Sequence, residues 1–153
     1  MAIDRADWHW DSAEKIYREK HKATSELTEE QEYEIWLLAG NHIGLFLRWI
    51  IDNNLEGEEA DEADCGKVRA GQMSGAEYLL MNCDGKLWDE DIKESSLPFV
   101  EEYYNGNQYF DDYCQCCIPD GKLLYEVISD ENDYQLLRPR IDEAYQNFLS
   151  KKQ

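Results

Sequence analysis

At 153 residues with 42% hydrophobic content, the chain can fold as one domain with a sizeable core, and its five Trp and ten Tyr exclude a disordered chain. Fifteen Lys plus Arg stand against 34 Asp plus Glu, which leaves a net charge of −19. That sign excludes direct binding to nucleic acid and attraction to an anionic membrane.

Residues 4–10, Asp-Arg-Ala-Asp-Trp-His-Trp, form a short aromatic segment. Trp8 and Trp10 alternate around His9, which predicts a strand with both rings on one face. Asp11 or Ser12 then caps a helix over about 12–23, with Ala13, Ile16, Tyr17 and Lys20 at helical spacing. Lys15, Arg18, Lys20 and Lys22 give this helix much of the chain's positive charge. Ser25 or Thr28 opens the next helix. Thr28-Glu29-Glu30-Gln31 matches a capping box, and the early acids suit the positive end of the helix dipole.

Residues 35–51 are the most apolar stretch. They read as a central buried helix, or as two short helices meeting at Gly40, with Asn41 then capping the second. Gly44 and Arg48 are four apart and share one face. Gly44 leaves a gap where another element approaches, and Arg48 reaches water from the same side. The stretch is broken by Asn41, His42 and Arg48, and falls short of the about 20 apolar residues that span a bilayer. Asn53-Asn54 stops the helix.

Residues 56–64 carry six carboxylates and no base. Like-charge runs of this kind form solvated loops or frayed helices. Their spacing lacks the alternating oxygen ligands of a calcium loop. Ser74 caps a helix over about 75–83, which Asp84-Gly85 ends. Leu87, Trp88 and Ile92 are expected as satellite core contacts. Ser95 or Ser96 starts another helix with Pro98 in its first turn. Phe99, Val100, Tyr103 and Tyr104 form its stripe, and Asn105-Gly106-Asn107 breaks it. Tyr109, Phe110, Tyr113 and Cys117 predict one helix more. After the turn at Pro119-Asp120-Gly121, residues 123–128 are the best strand candidate, to be paired with Trp8–Trp10 or with residues near Leu87. The last helix covers about 130–150, with Tyr134, Leu137, Ile141, Tyr145 and Phe148 as its stripe and Pro139 kinking or restarting it. The sum is a mainly α fold, α+β with a minor sheet. It is a single domain, 1–153, around a central buried helix at about 35–52, with one or two short strands near 7–10 and 123–128.

Chemical motifs are sparse. Cys65, Cys83, Cys114, Cys116 and Cys117 are irregularly spaced and read as reduced thiols. Cys114-Gln115-Cys116-Cys117 lacks zinc-site spacing and a nearby His, and no redox pair with two intervening residues occurs. A lone His near a core, such as His42, is usually a hydrogen-bonded structural residue. His9 reads equally as a site residue or a half-buried surface residue, and His21 as exposed. No nucleophile motif, phosphate loop or dinucleotide fingerprint is present. The expectation is therefore no catalytic residue, no metal and no cofactor. The N-terminal residues show neither a secretory nor a lipidation pattern, so a cytoplasmic location is expected.

Three passages taken together carry a resemblance. They are Asp7-Trp8-His9-Trp10, then Gly40-Asn41-His42-Ile43-Gly44-Leu45-Phe46-Leu47-Arg48-Trp49, and Leu87-Trp88-Asp89-Glu90-Asp91 followed by Tyr103-Tyr104. The late Tyr125-Glu126-Val127 extends it over nearly the whole chain. The chain resembles a family of uncharacterised small bacterial proteins described only as a domain of unknown function. The typical core of that family reads Gly-Thr-His-Ile-Gly-Met-Phe-Leu-Ala-Trp. Here Asn41 replaces the Thr, and the segment between Trp10 and Gly40 is longer. The small acidic members look like immunity proteins of bacterial toxin systems, an analogy of type and not of site.

Charge and resemblance together point to an immunity-type protein that binds a cognate toxin domain. A nuclease toxin is basic where it holds nucleic acid, and an acidic partner associates quickly with such a surface. Glu58, Glu59, Asp61, Glu62 and Asp64 are the expected contacts, with Asp111 and Asp112 as a second patch. Trp8, Trp10 or Tyr109 would supply the aromatic anchor. The alternative is a small enzyme or ligand-binding protein with a pocket beside His42 and Arg48.

Overall fold

A computed structural model describes residues 1–151. Eight α-helices and a two-stranded sheet make up the described chain. In order they are β1 (Ala2–Arg5), α1 (Trp10–His21), α2 (Glu29–Ala39), α3 (Asn41–Asp52), α4 (Glu62–Arg69), α5 (Gly75–Asn82), β2 (Lys86–Trp88), α6 (Leu97–Tyr103), α7 (Gln108–Cys117) and α8 (Glu131–Lys151). The fold is mainly helical with a minor sheet, as the sequence predicts.

The apolar stretch is two helices that meet at Gly40. In α3 every residue except Arg48 and Asp52 is buried. A helix covered on nearly all sides needs an apolar circumference, and Ile43, Leu45, Phe46, Leu47, Trp49, Ile50 and Ile51 provide it. Burying each such side chain contributes about 1.5–3 kcal/mol. Gly44 creates the predicted gap, and α5 fills it. A Cβ at Gly44 would lie 2.6 Å from Ala76 Cα and 2.8 Å from the Gly75 carbonyl carbon. The two backbones are therefore in direct contact. The main cluster gathers α3 with α4–α8, and a smaller one joins Ala6, Ala13, Tyr17, Ile35, Leu38 and Ala39 between α1 and α2.

Local signals set several boundaries. The Thr28 side chain accepts from the Gln31 backbone N–H at 3.1 Å, and Gln31 Oε1 accepts from the Thr28 N–H at 2.9 Å. Ser74 and Glu77 repeat this box on α5, and Asp61 caps α4. Asp84 and Gly85 turn with φ of 53° and 72°. Ser96 is the residue before α6, with Pro98 in the first turn. α8 runs through Pro139 without restarting and buries Tyr134, Leu137, Ile141 and Phe148.

The sheet is built from segments other than those expected. Trp8 ends a 3₁₀ turn, Ala6–Trp8, and Trp10 is the first residue of α1. The Ala6 N–H carries the pairing one residue further, to Gly85 O at 2.8 Å, and the chain then turns as the His9 N–H closes back on Ala6 O at 3.0 Å. Trp10 instead packs on Trp36 with ring centroids 4.3 Å apart. His9 precedes α1 without a side-chain cap bond, so neither Asp11 nor Ser12 is the cap. Residues 123–128 form no strand either. Tyr125 takes φ 65°, which interrupts an extended run, and Leu123 and Ile128 are exposed. The antiparallel pair is β1 with β2, in register Ala2↔Trp88, Asp4↔Leu87 and Arg5↔Lys86, with an irregularity between Ala2 and Asp4. Such a bulge re-aims side chains, and Asp4 is buried.

Asn41 is not a cap. It lies in the first turn of α3, and its side chain holds the 118–130 segment. Its Nδ2 donates to Tyr113 Oη at 2.7 Å and to Ser129 Oγ at 2.9 Å, while Oδ1 accepts from the Ser129 N–H at 3.0 Å. Arg48 is also used internally. Its side chain is only 12% exposed, pairs with Asp52 and Glu131, and stacks over the Tyr134 ring at 4.1 Å.

Candidate functional site

The predicted partner-binding residues separate into several environments. Glu58 and Glu59 are exposed and line a groove of about 780 Å³. Asp89, Glu90 and Glu94 face the same groove, with Ile92, Lys93 and Leu97. Asp61, Glu62 and Asp64 open α4. Asp61 is the cap, Glu62 lies 3.6 Å from Arg69, and Asp64 accepts from Asn82 at 3.0 Å. Asp111 is exposed, while Asp112 accepts from Tyr103 Oη at 2.7 Å and pairs with Arg140 at 3.3 Å. Trp8 is 60% exposed and free to touch a partner. Trp10 is half-buried against Trp36. Tyr109 cannot be an anchor, because it is 1% exposed and its hydroxyl donates to the His42 carbonyl. Its helical spacing marked core, not surface.

A second group lies at the meeting of β1, the 6–9 turn and α3. Asp4 Oδ1 accepts from the Arg5 N–H at 2.8 Å and contacts His9 Nε2 at 2.8 Å. Asp4 Oδ2 accepts from Tyr104 Oη at 2.6 Å and contacts His42 Nε2 at 3.2 Å. The other nitrogen of His9, Nδ1, lies 2.6 Å from Tyr125 Oη. The two imidazoles meet edge to face with centroids 4.5 Å apart. Local folding explains each position. The bulge and burial of β1 place Asp4, the 3₁₀ turn swings His9 back over it, and α3 brings His42 in its first turn. The left-handed backbone at Tyr125 turns that ring inward.

Electrostatics follow from this packing. Burial alone would raise the Asp4 carboxyl, but hydrogen bonds from His42, His9 and Tyr104 outweigh it and hold the group well below the ordinary carboxylate range. Burial lowers His42 more than its Asp4 partner raises it, so the imidazole is held neutral. Burial, with Asp4 nearby, raises Tyr104 and Tyr125. Asp4 is thus an anion with hydrogen-bond donors around it. Burial also pushes Cys83 and Cys117 up to about 12, which makes them thiols rather than nucleophiles.

His42 and Arg48 do not share a site. At about 100° per residue they fall about 120° apart around α3, and each belongs to its own network. A further group, Glu56, Glu62 and Cys65, brings potential ligand atoms together near Arg69. The sequence reading missed Asp4, Tyr104 and Tyr125 as partners of the two histidines. The only hint was a pair of histidines in apolar or aromatic settings, each requiring a polar neighbour.

No curated protein and no solved structure matches the chain. A family profile described as a domain of unknown function (DUF7832) matches residues 2–127, and the chain belongs to that family.

Proposed function

We propose that this member of the DUF7832 family is an immunity-type protein that binds and neutralises a cognate bacterial toxin domain through its acidic surface. The observation that carries the reading is the groove where Glu58, Glu59, Asp89, Glu90 and Glu94 surround Ile92 and Leu97. Segments distant in sequence bring five carboxylates to one concavity against the single ammonium of Lys93, and that acidic excess focuses field and steers a basic partner. The apolar floor offers what charge alone lacks, a place for a desolvated contact. Trp8, on another segment, is an exposed aromatic available as an anchor. The expected partner surface is the nucleic-acid-binding face of a nuclease-like domain.

The test mixes the purified protein with the last domain of the polypeptide encoded beside it. Association is expected to be fast and to slow steeply with added salt. Combining Glu58→Gln, Glu59→Gln, Glu90→Gln and Glu94→Gln should cut the association rate by about tenfold or more and flatten the salt dependence. Tight binding that is indifferent to both changes would sink the charge mechanism.

A second reading, a small ligand-binding protein or enzyme centred on His42 without Arg48, is favoured by the buried Asp4–His9–His42 group.

A further inference from the structure

The Asp4 cluster deepens that second reading and rests on it, not on the acidic groove. We propose that Asp4, His9 and His42 form a binding site for one divalent transition-metal ion of the zinc or iron class. The residues come from three segments, and one ligand atom of each lies within 4.8 Å of the other two. Nε2 of His9 is 2.8 Å from one Asp4 oxygen, and Nε2 of His42 is 3.2 Å from the other. Ligands held about 2.0–2.2 Å from a common ion lie about 3–3.5 Å from one another. Both histidine–carboxylate pairs are already near that spacing, and the whole set lies within 4.8 Å, so an ion draws the three side chains together without moving the backbone elements.

The donor set selects the ion class. Two imidazole nitrogens and one carboxylate suit zinc or non-haem iron and leave coordination positions open. Calcium and magnesium favour all-oxygen shells. Charge favours the same occupant, since the Asp4 side chain is 11% exposed and has an imidazole beside each oxygen.

The surrounding hydroxyls fit both states. In the neutral ring without an ion, a proton on Nε2 faces Asp4 and Nδ1 is left to accept from the Tyr125 hydroxyl. With an ion on Nε2, the proton moves to Nδ1 and donates to the same Tyr125 oxygen. A hydroxyl serves either tautomer, because it is donor and acceptor. Such outer partners fix the ring and raise ligand basicity. Tyr104 and the Arg5 N–H each bond one Asp4 oxygen and hold the carboxylate in place. The His9 side chain is 22% exposed, which gives an ion a way in without unfolding.

The Glu56–Glu62–Cys65 group shows the contrast. There the Arg69 guanidinium already pairs with Glu56 and lies 3.6 Å from Glu62, so a cation occupies the position. No such internal cation contacts Asp4 among the described side chains.

The test strips the protein with chelator and measures Zn²⁺ uptake by equilibrium dialysis and elemental analysis, with Co²⁺ absorption as a second readout. Wild type is expected to take up one equivalent. His9→Ala, at the partly exposed ligand, should lose uptake while circular dichroism stays native. Tyr125→Phe should weaken it about 10- to 100-fold. Cys65→Ser and Glu62→Gln should leave it unchanged. If His42→Gln fails to fold, the His9 variant still decides. No uptake by wild type, full uptake by His9→Ala, or loss in Cys65→Ser would overturn the assignment. Stoichiometric uptake without any turnover would uphold the site and end only the enzymatic half of the second reading.

Discussion

Replacing Gly44 by alanine tests the contact on which the packing of α3 depends. The added methyl would lie 2.6 Å from Ala76 Cα and 2.8 Å from the Gly75 carbonyl carbon. Those are backbone atoms of α5, so no rotamer change can make room. Overpacking typically costs about 1–3 kcal/mol, and the rigid neighbour places this case at about 3 or more. Alanine returns about 1 kcal/mol through helix propensity, leaving a net loss of about 2 kcal/mol. That corresponds to a fall in Tm of about 4–8 °C. Gly66→Ala is the matched control. Gly66 lies inside α4 with no heavy atom within 4 Å of a built Cβ, so the same substitution should stabilise by about 0.5–1 kcal/mol. Urea unfolding of both variants measures the difference. A Gly44→Ala protein as stable as wild type, or a Gly66→Ala loss of equal size, would refute the reasoning.

Thr28→Ala removes one half of a capping box and should cost about 1 kcal/mol, measured by urea unfolding. Asn41→Ala leaves the Ser129 N–H without its partner. It should cost about 1–3 kcal/mol and make the 118–130 segment a preferred site in limited proteolysis. Alkaline stability follows from Tyr78, Tyr103, Tyr104, Tyr109, Tyr113 and Tyr134, all raised above the ordinary value of 10.0, chiefly by burial. The unfolded chain loses these protons first, so their contribution is complete below pH 10 and declines as pH rises beyond it. Tyrosinate absorption at high pH should therefore appear in step with the loss of circular dichroism. Smooth titration of all ten tyrosines in a folded protein would contradict this.

The legible features of the fold are those encoded within a turn or two. Thr28–Gln31 and Ser74 reveal their helices because a cap acts over three residues. Gly44 reveals a close approach because nothing else in α3 lacks a side chain. The strands were illegible for the opposite reason. Ala2–Arg5 has no alternating apolar pattern, and its partner Lys86–Trp88 lies far along the chain. Alternation at Trp8 and Trp10 suggests a strand, yet the His9 N–H closes back on Ala6 O and turns that segment instead.

The candidate sites divide along the same line. Glu58 and Glu59 could be named from a charge run, because exposed acids need no partner to be recognised. Their neighbours Asp89, Glu90 and Glu94 required the fold to bring them to the groove. At the buried site, the sequence presents His42 as a structural histidine and His9 equally as a site residue or a half-buried surface residue, with nothing to join the two. What changes their meaning is Asp4, a residue that looks unremarkable among 34 acids. Burial supplies the distinction, since an ionised carboxylate leaves water only where donors or a cation replace it. The 6–9 turn is what brings His9 onto that carboxylate, and a strand at Trp8–Trp10 would have carried it away. The failed strand prediction and the missed site are thus one error, because the same turn ends β1 and assembles the cluster.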